Sequence, residues 1–261
     1  MSIAYLVTGT TRGIGRAIAE VIKDDGHPLF SLSSQPDSAA PGLCNTKCDL
    51  GRPDQVSAAG RNLIRTMIGS KPDAVVLINN AAVLDPIGPL ASADPEAIVR
   101  HLLVNQAAPA TLMSIFIAMT SHFSGTRHII NISSGAARAP YAGWAMYCGT
   151  KAALDMMTLC AAMEQQANPI GVDVCAVYPG KVDTGMQASI RRTAPSLFPR
   201  QADFIGAKVR GELLAPKAVA RLIIDLYRKG QFKNGGIYDL RSARIDRGRC
   251  TIEPARTIEA F

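Results

Sequence analysis

Residues 3–22 have the sequence IAYLVTGTTRGIGRAIAEVI. An apolar run comes first, and a glycine-rich stretch over residues 8–15 follows it. The second half repeats its apolar residues at the i, i+3, i+4, i+7 spacing that places one stripe along a helix; these residues are Ile14, Ala17, Ile18, Val21 and Ile22. The segment therefore predicts a strand, a tight turn and a helix. Glycines at such a turn let the backbone approach a pyrophosphate, which then sits at the positive end of the helix.

The rest of the chain alternates in the same way. Apolar runs rich in Val and Ile predict strands, and segments of helical periodicity separate them. We expect strands at 3–7, 29–33, 44–48, 74–79, 128–133, 172–177 and 236–240, and further helices at 53–69, 94–122 (bent around Pro109), 145–166 and 216–229. Strands joined by helical crossovers are parallel and covered on both faces. The prediction is an α/β fold, with residues 1–240 forming a single Rossmann-type doubly wound domain whose seven-stranded parallel sheet is flanked by helices.

Composition excludes several classes of protein. A chain of 261 residues with 48% hydrophobic and 19% charged residues is neither disordered nor fibrous. Its most apolar stretch, residues 102–120, is interrupted by Asn105, Gln106 and Pro109, which favours a buried helix over a membrane span. No export signal precedes the first strand, so we expect a cytoplasmic location. The cysteines and histidines do not cluster at metal-ligand spacing, and we predict no metal site.

The positive charge is concentrated in the last third of the chain. Residues 181–261 contain 16 Lys and Arg against eight Asp and Glu, in a chain whose net charge is +7. These cations are dispersed among acids and lack the interleaved aromatics of a nucleic-acid surface, so we expect no nucleic-acid partner. A solvated surface is the simpler explanation, and an anionic substrate or a cofactor phosphate is the alternative.

Two C-terminal segments lack a clear periodicity. Residues 183–215 contain Pro195 and Pro199 and predict a long excursion of the kind that often forms a substrate lid. Residues 241–261 form a basic tail to which the pattern assigns no element.

Three polar residues near the fifth strand indicate chemistry. Tyr147 and Lys151 are four residues apart at the start of a predicted helix, so both project from one face. An ammonium beside a phenol is expected to lower the phenol's pKa toward neutrality, which would make Tyr147 a usable proton donor and acceptor. The pair alone could be a packing coincidence, but Ser134 lies thirteen residues upstream at the end of the fifth strand.

With these residues in place, the sequence resembles the short-chain dehydrogenase/reductase family over nearly its whole length. The motifs that carry the resemblance occur in family order: Thr8-Gly9-x-x-x-Gly13-x-Gly15, Asn79-Asn80-Ala81-Ala82, Ser134, Tyr147-x-x-x-Lys151 and Pro179-Gly180. Asn105 matches the family's catalytic asparagine. The resemblance implies a catalytic tetrad of Asn105, Ser134, Tyr147 and Lys151.

The resemblance also implies hydride transfer between a nicotinamide ring and a carbonyl or alcohol carbon. Tyr147 would protonate the carbonyl oxygen, Ser134 would hydrogen-bond it, Lys151 would hold the nicotinamide ribose, and Asn105 would support a water-mediated proton path. Asp49 matches the acid that contacts adenine, Asn80 lies beside the adenosine ribose, and Thr184 contacts the nicotinamide amide. The implied cofactor contacts are Gly9, Thr11, Arg12, Gly13, Ile14, Gly15, Ser33, Ser34, Asp49, Leu50, Asn80, Ala81, Tyr147, Lys151, Pro179, Gly180, Val182 and Thr184.

The end of the second strand favours NADP(H) over NAD. Relatives that prefer NAD place an acid there, whereas this chain has Ser33 and Ser34 and no acid before Asp37. Arg12 stands where relatives that prefer NADP often carry a basic residue for the extra phosphate. Arg12 could also be an ordinary surface charge, and the two serines could simply end the strand.

Within the family, the string Gly143-Trp144-x-x-Tyr147-Cys148 resembles the group of sepiapterin reductases and bacterial benzil reductases. The resemblance implies that Asp239 anchors the substrate, although a strand-end turn residue is an equal alternative, and that Trp144 forms an aromatic wall rather than pure core. The expected function is NADP-dependent reduction of a ketone or dicarbonyl. The alternatives are a broader alcohol dehydrogenase, a 3-oxoacyl reductase, or an NADP-sensing protein without catalysis. The resemblance further implies a homodimer or homotetramer, with a small carbonyl or alcohol substrate and no membrane partner.

Overall fold

The computed structural model describes residues 1–35, 43–168, 170–246 and 249–257. Seven parallel strands form one sheet in the order β3-β2-β1-β4-β5-β6-β7. The strands are β1 (Ile3–Thr8), β2 (Leu29–Ser33), β3 (Leu43–Lys47), β4 (Ala74–Asn79), β5 (Thr126–Ile132), β6 (Asp173–Tyr178) and β7 (Ile237–Asp239). The predicted fold class is confirmed.

Helices cover both faces of this sheet. They are α1 (Gly13–Asp24), α2 (Pro53–Gly69), α3 (Pro95–Leu102), α4 (Ala108–Met119), α5 (Ala145–Gln166), α6 (Gly185–Arg192), α7 (Gln201–Val209) and α8 (Pro216–Arg228). The apolar stripes of α1 and α8 pack on one face, and those of α2, α4 and α5 pack on the other. The central strands β1 and β4 are buried at every position, as the near-continuous apolar runs of a parallel sheet require.

The predicted helix at 94–122 is interrupted earlier than expected. A π-helical turn, Leu103–Ala107, separates α3 from α4. Pro109 lies in the first turn of α4, where its missing N–H is tolerated, so it is not the site of the interruption. Within the described chain the segment Pro95–Met119 is long and apolar enough to cross a membrane by composition. It is assigned instead to the core, because Leu112, Ile115 and Phe116 are buried against α2 and the sheet.

The excursion at 183–215 contains two short helices, α6 and α7, that the weak periodicity did not indicate. Beyond β7, two short strands, β8 (Arg244–Asp246) and β9 (Arg249–Thr251), form an antiparallel hairpin. The chain then returns to the sheet: the Ile237 N–H donates to the Arg256 carbonyl at 2.9 Å, and the Ala255 N–H donates to the Ile237 carbonyl at 2.7 Å. Asp37, Arg247 and the last four residues lie outside the described chain.

Candidate active site

A cavity of about 740 Å³ crosses the carboxyl ends of the sheet strands. It is centred where β1 lies beside β4, the point at which the strand order reverses direction. In doubly wound sheets this crevice is where ligands bind. The cavity has a polar end near the turn after β1 and an aromatic end beneath α6 and α7.

The glycine-rich turn forms the floor of the polar end. Gly9 and Gly13 have φ values of +73° and +60°, which favour glycine. Gly15 lies behind the turn, where an added Cβ would stand 2.1 Å from the Gly9 carbonyl oxygen. The first residue of α1 follows Arg12, whose side chain does not cap the helix. The N–H groups of the first turn are therefore left to an anion, and this cradle fits a dinucleotide pyrophosphate.

Two of the expected cofactor contacts at this end are already engaged by protein groups. The Asn80 amide donates to the carbonyls of Thr8 and Gly9, at 2.9 Å and 3.3 Å, and so fixes the turn. Asp49 lines the cavity, but its carboxylate is bound by Arg100 at 2.8 Å. Hydrogen bonds from Arg100 hold the pKa of Asp49 below its usual value. The expected adenine contact is thus one half of an ion pair.

The residues expected to select the cofactor also meet at this end. Ser33, Ser34, Leu50 and Ala81 line the cavity, together with Thr11 and Ile14. Arg12 is exposed at its rim, and within the described chain it forms no ion pair or hydrogen bond through its side chain. Ser33 is buried and donates to the Gln35 carbonyl at 2.6 Å. The unpaired guanidinium of Arg12 and the uncharged end of β2 therefore line the same end of the cavity.

Ser134, Tyr147 and Lys151 meet at the middle of the cavity. Tyr147 and Lys151 lie one turn apart on α5, and the Lys151 ammonium nitrogen is 5.8 Å from the centre of the phenol ring. That nitrogen donates to the Ile132 carbonyl at 2.8 Å. Ser134 follows β5 and accepts a hydrogen bond from the Ala136 N–H at 3.2 Å. Both α5 residues are almost completely buried.

The pKa of Tyr147 moves in the direction opposite to the sequence prediction. Burial raises the pKa of the phenol, and a hydrogen bond with Ser134 opposes this only in part. Burial also lowers the pKa of Lys151 to about 8, while the charge of Asp155 acts in the opposite direction. The prediction of an acidified phenol is wrong here because burial of Tyr147 raises its pKa more than the hydrogen bond with Ser134 lowers it.

Asn105 lies in the π-helical turn and outside the main cavity. Its amide group pairs with the backbone of Val83, donating to the carbonyl and accepting from the N–H, both at 2.8 Å. A second cavity of about 10 Å³, lined by Asn105 and Lys151, adjoins it. A cavity of this size holds about one water molecule.

His101 completes a network that the sequence did not indicate. Its ring nitrogens lie 2.7 Å from the Asp85 carbonyl and 3.0 Å from the Thr150 hydroxyl, and its Nε2 is 2.9 Å from the Asn105 amide. Burial lowers the pKa of His101. The network ties the segment after β4 to α5, one turn from Tyr147.

The loop after β6 forms part of the cavity wall, between the polar end and the aromatic end. Pro179, Gly180, Val182 and Thr184 line it, and Gly180 has a φ of +80°. Thr184 caps α6 by accepting from the Gln187 N–H at 3.4 Å.

An aromatic cluster forms the other end of the cavity. The Trp144 ring stacks on Phe198 with centroids 4.4 Å apart, and it meets Tyr147 and Phe204 edge to face at 5.5 Å and 5.4 Å. Tyr141 lies 5.3 Å from Trp144. The Trp144 indole N–H is buried and has no hydrogen-bond partner among the described residues. Trp144 is therefore both wall and core, with one donor free for an acceptor.

The structure gives Asp239 a different environment from the expected one. Asp239 is buried at the end of β7 and does not line the cavity. Its carboxylate accepts from the Arg241 side chain at 2.9 Å and from the Arg241 N–H at 3.1 Å. Arg241 lines the cavity instead. The Asp239 carboxylate, which was expected to hold the substrate, is therefore bound by Arg241.

Several cavity residues were not identified from the sequence. They are Arg100, Arg138, Lys181, Phe204 and Arg241. Each lies in a loop or a short helix whose position depends on tertiary packing. The sequence indicated these cations only through the excess of Lys and Arg after residue 180.

In the described chain no group of three or more His, Cys, Asp or Glu side chains is placed to hold a metal ion.

The sequence matches the family model described as short chain dehydrogenase over residues 4–195. The chain is 34% identical over 240 residues to a benzil reductase ((S)-benzoin forming) of Bacillus cereus, covering 89% of this chain and 96% of that protein. It is 27% identical over 256 residues to a sepiapterin reductase of Xenopus tropicalis, covering 91% and 96%. Among solved structures, the KRED1-Pglu enzyme matches with a TM-score of 0.74 at 25% identity, over 87% of this chain and 94% of that one.

Proposed function

The chain belongs to the short-chain dehydrogenase/reductase family of oxidoreductases, and we propose that it reduces an aromatic ketone or dicarbonyl with NADPH. The observation that supports this most directly is the single cavity that joins the glycine cradle, the Ser134, Tyr147 and Lys151 side chains and an aromatic end. The reduced dinucleotide supplies the hydride that the carbonyl carbon accepts.

Tyr147 supplies the proton to the carbonyl oxygen. Burial raises the pKa of the phenol, so Tyr147 holds its proton at neutral pH, although a pKa nearer the working pH would make that proton easier to transfer. The Ser134 hydroxyl, which lines the cavity with Tyr147, would donate to the same oxygen as negative charge develops, in place of its hydrogen bond with Tyr147. Lys151, which lines the same cavity, would hold the nicotinamide ribose.

Proton supply to Tyr147 runs past Lys151. The pKa of about 8 leaves Lys151 able to give and take a proton near neutral pH. The small cavity between Asn105 and Lys151 has room for the water of such a path. Asn105 acts here by holding the Val83 backbone and the shape of that cavity.

Tyr147→Phe tests the reaction. We expect kcat to fall by about 10²- to 10⁴-fold, the usual contribution of a general acid, while NADPH binding, followed by the coenzyme's fluorescence, is retained. Tyr227→Phe is the matched control, because it removes a phenol that packs in the core between α8 and the sheet. Parent-like turnover by Tyr147→Phe would show that another group protonates the substrate.

The preference for NADPH rests on Arg12. Its guanidinium lines the rim of the cavity and would pair with a 2′-phosphate. The one carboxylate in the described cavity lining is that of Asp49, which Arg100 neutralises. Arg12→Ala should raise the KM for NADPH by about tenfold or more and leave the KM for NADH nearly unchanged. Arg16→Ala, which changes an exposed arginine in the first turn of α1, should alter neither. Equal effects on both coenzymes would refute the preference.

The substrate class follows from the aromatic end. Tyr141, Trp144 and Phe204 offer flat apolar surface to a substrate. Steady-state rates with benzil, sepiapterin, simple diones and a 3-oxoacyl thioester measure which class of substrate the enzyme prefers. A preference for the thioester over every aromatic carbonyl would contradict it.

We also expect a homodimer or homotetramer in the cytoplasm. Met156 and Met163 are exposed seven residues apart on one side of α5, and Val99 and Leu102 are exposed on α3. Such an apolar surface suits a second copy of the chain. Light scattering on the parent and on Met156→Lys tests this; a monomeric parent would refute it.

A further inference from the structure

Three cations line the cavity around its aromatic end. Arg138 ends the helical turn Gly135–Ala137 and follows Ser134 by four residues. Lys181 and Arg241 come from the loops after β6 and β7, and the Arg241 side chain lies against Gly180, where an added Cβ would be 3.4 Å from Arg241 Cγ. In the described lining of this end there is no carboxylate.

The nearby acids do not neutralise this group. Asp239 is bound by Arg241, and its pKa is held low by hydrogen bonds from Arg241 and more weakly by the charge of Arg138. The carboxylate of Asp239 is thus paired with Arg241 and makes no hydrogen bond or ion pair with Arg138. Lys181 lies near Glu212, but Glu212 is paired with Arg210, and the Lys181 ammonium stands 5.6 Å from the Phe204 ring centre.

Arg138 is the most available of the three cations. It is exposed, it lines the cavity, and within the described residues its side chain has no hydrogen bond or ion pair. A guanidinium binds a carboxylate through two parallel N–H donors, which is stronger and more directional than a neutral hydrogen bond. Aromatic surface beside it, from Tyr141 and Trp144, suits a flat body that carries such a group.

We propose that the physiological substrate is an aromatic carbonyl compound that carries a carboxylate, and that Arg138 binds this group with support from Lys181 and Arg241. The inference rests on the proposed carbonyl reduction and specifies its substrate. Among the cations after residue 180, Lys181 and Arg241 line this cavity, and their charge would also attract the anion from solution.

The test compares benzil-4-carboxylate with its methyl ester, which have the same reacting dicarbonyl. We expect kcat/KM to be about tenfold higher for the acid, and the acid-to-ester ratio to fall toward one in Arg138→Gln. Arg138→Lys should restore part of the preference because it restores the charge. Arg192→Gln is the matched control: it removes an exposed arginine of α6 that does not line the cavity, so the ratio should stay at the parent value.

A binding measurement separates this inference from the proposed activity. Calorimetry with NADP⁺ present compares 4-benzoylbenzoate with 4-benzoylbenzamide, and requires no turnover. Tighter binding of the acid that is lost in Arg138→Gln supports the anion site, even if every dicarbonyl fails as a substrate and the proposed reduction is thereby refuted. Equal binding of acid and amide, or an acid-to-ester ratio that Arg138→Gln leaves unchanged, overturns the inference while carbonyl reduction stands.

Discussion

Replacing Lys151 with Met should abolish activity and yet make the protein more stable at neutral pH. The parent buries an ammonium whose pKa falls from 10.5 to about 8, mainly through desolvation. That difference corresponds to about 3 kcal/mol of unfavourable free energy in the folded state. Loss of the hydrogen bond to the Ile132 carbonyl offsets about 1 to 2 kcal/mol of the gain. The expected net stabilisation is about 1 to 2 kcal/mol.

The pH dependence gives the sharper test. A lysine whose pKa is lowered by folding destabilises the folded state below that pKa, and the penalty is relieved as the pH rises from about 8 toward 10.5. Between about pH 7 and about pH 9.5 the parent should therefore regain about 2 kcal/mol relative to Lys151→Met, because the folded protein releases its proton before the unfolded chain does. The other titrating groups are shared by the two proteins and cancel; Asp155 and His101 are the exceptions, because the charge of Lys151 lowers the pKa of both.

Urea unfolding of both proteins at the two pH values, followed by circular dichroism at one protein concentration, measures this difference. Lys229→Met is the control, since Lys229 is exposed at the end of α8 and its charge is hydrated in both states. A gap between parent and Lys151→Met that does not change with pH would refute the reasoning.

Three further substitutions test the packing around the site. Gly15→Ala places a methyl group 2.1 Å from the Gly9 carbonyl oxygen, so it should lower stability by about 2 kcal/mol or more and weaken NADPH binding in a fluorescence titration; Gly69→Ala, which meets open space, should do neither. Gly143→Ala would bring a Cβ within 2.2 Å of the Leu197 carbonyl oxygen at a φ of +87°. It should therefore raise the KM for the carbonyl substrate and leave the KM for NADPH unchanged. Equal changes in the two KM values would contradict a role of Gly143 in holding the 183–215 segment. Asp25→Asn removes the ion pairs to Arg221 and Arg228 and should lower the free energy of unfolding by about 1 kcal/mol. The hydrogen bond from Arg221 lowers the pKa of Asp25 below 3.8. The loss should therefore be complete above pH 3.8 and should disappear in urea titrations at more acidic pH.

The sheet and its glycine turn could be predicted because local patterns carry them. The alternation of buried strands and amphipathic helices follows from side-chain periodicity, and each strand boundary is within two residues of the expected one. Tyr147 and Lys151 share a helix face for the same reason. Their position in one cavity with Ser134 follows from the family's motif order.

What the sequence did not indicate depends on contacts between distant segments. The acidity of Tyr147 was predicted in the wrong direction because the pair was treated as if exposed, whereas both groups are buried. The Asp239–Arg241 pair depends on the turn after β7. The helices α6 and α7 of the 183–215 segment are held by the packing of Trp144 against Phe198 and Phe204 rather than by their own periodicity. Asn105 could be identified by motif, but the π-helical turn around it and its His101 neighbour could not.

The return of the chain to β7 affects how copies of the protein can associate. Ile237 already uses both its N–H and its carbonyl group on residues 255 and 256, so that border of the sheet offers fewer free backbone groups to another molecule. Exposed sheet borders promote chain-to-chain pairing and aggregation. Truncation before residue 252 would uncover this border, so we expect the pairing of residues 255 and 256 with Ile237 to limit polymerisation through it.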